Sequence, residues 1–118
     1  MSGNPPHYDP FHSTALYTLR YRKPVPCNDL LKWGKWTERS RRHVRNTYIE
    51  GIQISTVFLG IDHNYNLNGE PLLFETMVFP DEDIQFRCST WREALNQHWE
   101  VVHSVKAKLR WLDERSKI

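Results

Sequence analysis

The last quarter of the chain constrains the fold more than any other part. From Trp91 onward, Trp91, Leu95, His98, Val102, Val105, Leu109 and Leu112 recur at alternating steps of four and three. That spacing draws a single stripe along a helix of about six turns. Thr90 and Glu93 stand at capping-box spacing just ahead of it, the threonine oxygen taking the Glu93 amide and the carboxylate reaching back. A helix of ~22 residues is ~33 Å long, longer than a three- or four-stranded sheet is wide. The stripe therefore predicts a sheet beneath part of the helix. It also predicts an overhang, with Trp99 and Trp111 nearby, available to join a second chain. His98 within an apolar stripe reads as a satisfied core histidine rather than a ligand.

The sheet is found in the centre. Residues 43–49 (HVRNTYI) and 52–59 (IQISTVFL) flank Glu50-Gly51, a two-residue connection whose glycine signals a hairpin. Residues 72–79 (LLFETMVF) form a third β-rich run, separated from the second by a long Gly/Asn/Pro-containing loop over 60–71. Upstream, Thr14 to Tyr21 alternates as a strand, which Lys23-Pro24-Val25-Pro26 is expected to end. Asn28 reads as the N-cap of a short helix over 29–41 that buries Leu30, Leu31 and one of Trp33 or Trp36. Residues 1–13 hold three prolines and no periodicity and read as a flexible arm. The expected fold is α+β: one domain over 14–118, with an antiparallel sheet of three or four strands packed by a long C-terminal helix, plus one short helix. A chain of 118 residues suits one such domain.

A net charge of +2 is too mild to argue for nucleic acid. No apolar run nears the ~20 residues of a membrane span, and no signal peptide opens the sequence. Cys27 and Cys88 are isolated, which suggests free thiols in a reducing compartment and a cytoplasmic setting. Cys88 precedes a helix cap, where a lowered thiol pKa is expected.

Three groups of side chains carry chemistry. Glu75 stands among apolar residues in mid-strand, and pairing Leu59 with Leu72 places it opposite Thr56. A buried carboxylate must be paired, protonated or turned to solvent. Asp62 and His63 sit where the strand over 52–59 opens into the loop, a common place for binding groups, although an aspartate there also caps its own loop. Arg39, Arg41, Arg42, His43 and Arg45 cluster between the end of the short helix and the start of the next strand, with Trp33, Trp36 or Tyr48 available to stack. Arginines there suit an anion, and also simply suit a helix C-terminus.

Leu31-Lys32-Trp33-Gly34-Lys35-Trp36, Ser55-Thr56-Val57-Phe58-Leu59-Gly60-Ile61-Asp62-His63-Asn64, Pro71 to Phe79 and Ser89-Thr90-Trp91-Arg92-Glu93-Ala94 together resemble a widespread family of short uncharacterised proteins. Tailed bacteriophages, prophages and bacteria encode them. The resemblance spans residues 30 to about 105 and implies a phage accessory protein in the bacterial cytoplasm, by analogy one that counters host defence.

The leading expectation is a non-enzymatic, homo-oligomeric protein, without cofactor, that binds a small phosphorylated, nucleotide-like ligand. Trp36, Arg42 and Arg45 would contact it, and Asp62, His63 and Glu75 would line the other wall. The alternatives are an inhibitor or adaptor of a host protein, and a small metal-dependent hydrolase built on Asp62, His63 and Glu75.

Overall fold

A computed structural model of the chain describes residues 15–64 and 69–117; the expected arm over 1–13 lies outside the described residues. The elements are β1 (Tyr17–Arg20), β2 (Lys23–Pro26), α1 (Leu30–Arg39), β3 (His43–Ile49), β4 (Ile52–Phe58), β5 (Phe74–Phe79), β6 (Gln85–Cys88) and α2 (Trp91–Ser116). The fold is α+β, as expected. Strands β3-β4-β5-β6 form an antiparallel sheet of four in chain order, and β1-β2 form a separate pair.

The β3–β4 turn is the one the sequence signals. Glu50 and Gly51 both take positive φ, 47° and 85°, the twist that suits a two-residue hairpin connection. The register of β4 on β5 differs from the expected one by a single residue: Thr56 faces Thr76, and Glu75 faces Val57. A one-residue slip moves every side chain to the other face. The observed register puts Ile54, Phe58, Phe74 and Val78 with the buried core and turns Glu75 to the opposite face, so no carboxylate is buried under the helix.

The proline-bearing segment does not end the first strand; it pairs with it. Tyr17 lies opposite Pro26 and Leu19 opposite Pro24. The Cys27 amide donates to the Leu16 carbonyl at 2.8 Å. By alternation, the nitrogens of Pro24 and Pro26 therefore lie on the outer edge, where no donor is needed. The tight turn between β1 and β2 uses Tyr21 and Arg22 at φ 52° and 72°, an uncommon conformation for non-glycine residues.

Helix α1 is capped by Asp29 rather than Asn28, its side chain accepting from the Lys32 amide at 3.1 Å. Leu30 and Leu31 are exposed, against expectation. The two indoles take the inward side instead: Trp33 Nε1 donates to the carbonyls of Tyr17 and Gly60, and Trp36 meets Phe58 edge-on. Gly60 is required here. Its φ is +77°, and a Cβ would come within 3.2 Å of both Trp33 Nε1 and the Tyr17 carbonyl.

Helix α2 opens with the full capping box and runs obliquely over the sheet. At its start Trp91 lies edge-on to Phe74. Further along, Val101 and Val102 pack with Ile54 and Val78, and Val105 joins that cluster, as do Ile49 and Ile52 flanking the β3–β4 turn. Beyond Val105 the helix continues to Ser116, a projection of about 16 Å in which Trp111 and Leu112 are exposed.

Candidate functional site

The six residues expected to line a ligand site make separate contacts. Asp62 Oδ1 accepts the amides of Asn64 at 2.8 Å and Leu72 at 2.9 Å, clamping the ends of the loop. The Asp62 charge, after burial, also pushes the Tyr17 hydroxyl pKa up. The His63 amide donates to the Leu72 carbonyl at 3.1 Å. Glu75 is buried and bonded to Arg87 Nε of β6 at 2.9 Å. Trp36 is part of the core around Phe58, and the Arg45 guanidinium lies 5.2 Å over the Trp99 ring. Arg42 is exposed, its carbonyl accepting the Phe58 amide at 2.7 Å. Among the described residues no three His, Cys, Asp or Glu side chains are grouped to hold a metal ion. Cys88 corrects another expectation: burial and the nearby Glu93 raise its thiol to about 11, outweighing the Thr90 backbone contact that lowers it.

The polar feature of the core lies elsewhere. His98 is fully buried, with both ring nitrogens bonded: Thr47 Oγ1 is 2.7 Å from Nε2, and Thr56 Oγ1 is 2.8 Å from Nδ1. Thr56 in turn bonds Thr76 at 2.7 Å. Strands β3, β4 and β5 each supply one hydroxyl. Burial, and then the charge of Arg45, lower the pKa of the imidazole, favouring the neutral ring. This is a satisfied core histidine with no access for a substrate.

A groove of about 730 Å³ lies between α2 and the β5–β6 half of the sheet. Its floor includes Val78, Ile84 and Phe86; its helical wall includes Val101, Val105 and Leu109. None of the six expected residues lines it. The oblique path of α2 creates it. Four strands at ~4.8 Å spacing make a sheet ~19 Å wide, whereas one helix is ~10 Å across. A helix that starts over β5 and ends over the β3–β4 turn leaves the Ile84 and Phe86 end bare, and both residues are exposed. Asp81, Glu93, Glu100 and Lys108 stand around the groove, and Gln97 Oε1 is buried beside it without a hydrogen-bond partner. Sequence reasoning passed over these lining residues; the apolar Ile84 and Phe86 after three acids, and Val101 beside the stripe, mark the residues but not the shape of the groove.

No protein-family model, curated protein or solved structure matches the chain. Among the described residues, no helix is long and apolar enough to cross a membrane.

Proposed function

We propose that this protein is a non-enzymatic protein-interaction module whose groove beside α2 seats an amphipathic helix of a protein partner. The observation that carries this reading is the match of shape and chemistry. The bare strip is one helix wide, floored by Val78, Ile84 and Phe86 and edged by charged side chains, which is how helix-in-groove sites are built. The chemistry-bearing residues favour it too, because Asp62 and Glu75 spend their carboxylates on the fold. A phosphorylated ligand has less support: Trp36 is packed against Phe58 and Arg45 is stacked on Trp99.

The test is site-specific photo-crosslinking in cells, with benzoyl-phenylalanine replacing exposed Phe86 and the adducts mapped by mass spectrometry. The expected result is an adduct to one amphipathic helical segment, absent when the probe replaces exposed Glu38. Equal labelling from both positions overturns the proposal. A nucleotide-dependent rise in melting temperature would restore the phosphorylated-ligand reading in its place.

A further inference from the structure

We infer that the helix seated in this groove is α2 of a second copy of the chain, crossing antiparallel about a two-fold axis at Ser104. This rests on the groove being a helix-docking site and names its occupant.

The argument starts from helical geometry. At 3.6 residues per turn, Gln97, Glu100, Ser104, Lys108 and Trp111 fall within an arc of about 80°, and Glu93 and Arg115 fall on the same arc. An antiparallel pair centred on Ser104 opposes residues equally distant from it in sequence. Glu100 and Lys108 lie four residues to either side of Ser104, and Glu93 and Arg115 eleven. The pairing therefore sets Glu100 against Lys108 twice, and Glu93 against Arg115 twice. The residue at the crossing is a serine, small enough for two helices to approach.

A second observation points to the same register. Gln97 and Trp111 lie seven residues to either side of Ser104. Gln97 Oε1 is the buried side-chain acceptor among the described residues that has no partner. Trp111 is half exposed on the projecting part of α2 and carries an indole N–H, a donor without an acceptor role. The crossing sets each Trp111 indole beside the other copy's Gln97, where a turn of the amide toward the groove gives its oxygen the donor it lacks within one chain.

Charge agrees over a wider span. From Lys106 to Lys117 the chain holds five cations and two acids, whereas Glu93 and Glu100 stand on the groove wall along the first part of α2. In this register the projection of each copy runs beside that acidic wall of the other, bringing Leu112 over the bare apolar floor. Because the same patch meets itself, the interface closes as a dimer and does not propagate.

The test is a charge swap read by light scattering during size exclusion of the full chain. Glu100 and Lys108 are both exposed, so Glu100→Lys and Lys108→Glu fold normally, as circular dichroism will verify. The wild-type chain of 14.1 kDa elutes at twice that mass. Either single variant faces like charges twice and elutes as a monomer. An equimolar mixture of the two variants restores the two-chain mass, since each Lys then meets a Glu. A wild-type monomer, or a dimer unmoved by both single variants, overturns the inference. If the wild type is monomeric while the Phe86 probe still captures a helix from another protein, only the second copy is wrong. Loss of both results removes the groove reading as well.

Discussion

The two halves of α2 carry the same kind of sequence and meet different fates. From Trp91 to Val105 the stripe lies on the sheet: Ala94, His98, Val101 and Val102 are buried, and the Thr90–Glu93 box fixes the start. From Lys106 to Ser116 the stripe continues through Leu109 and Leu112, which line the open groove and belong to neither buried core cluster. The difference teaches that apolar periodicity specifies a face and does not specify what covers it. In the first half the answer lies within the chain, and it includes a polar contact at His98. In the second half no core cluster among the described residues receives the face, and Lys108, Leu109 and Leu112 line the open groove.

The comparison can be broken most forcefully at His98. His98→Ala opens a cavity and strips Thr47 and Thr56 of their shared partner, so urea denaturation should show a loss of about 3–5 kcal/mol. The same residue gives a pH signature. Burial and Arg45 lower its folded pKa, so the folded chain binds this proton less readily than the unfolded one. The contribution is complete above the unfolded value of ~6.5 and is lost as pH falls from there toward the folded pKa. Thermal melts between pH 7.5 and pH 5 should show the decline, and His98→Ala should lack this part of it.

Smaller effects sharpen the contrast. Thr90→Ala removes the oxygen that receives the Glu93 amide at 3.1 Å, and should cost about 1 kcal/mol in the same urea titration. Leu112→Ala, on the exposed projection, should change the stability of the dilute chain by less than about 0.5 kcal/mol. A loss of 2 kcal/mol or more in dilute solution would mean that Leu112 packs within its own chain, and the two halves would then not differ.

What the sequence disclosed followed from strong local chemistry. The capping box and the Glu50-Gly51 turn each rest on residues that do one thing well, and both elements formed where expected. The β1–β2 hairpin was not legible, because Tyr21 and Arg22 hold positive φ without the usual Asn or Gly; its support is tertiary, with the Arg22 guanidinium lying 5.2 Å over Trp91. The β4–β5 register slipped by one because Val57 and Met77 are apolar on the face opposite Phe58 and Phe74, so alternation there is weak. Glu75 was identified as a carboxylate in need of a partner. Its partner, Arg87, belongs to a four-residue strand too short to announce itself. The groove was beyond reach of the sequence because it arises from the crossing direction of α2, which depends on every strand below it.

The hydroxyls around His98 form a chain with a sense of direction. If the ring proton sits on Nδ1, it points at Thr56, Thr56 points at Thr76, and Thr47 must point at Nε2. If the proton sits on Nε2, all three hydroxyls reverse. A single choice of tautomer thus orients protons on three neighbouring strands together, and the hydroxyl resonances of Thr47, Thr56 and Thr76 should respond as one set when that choice is disturbed.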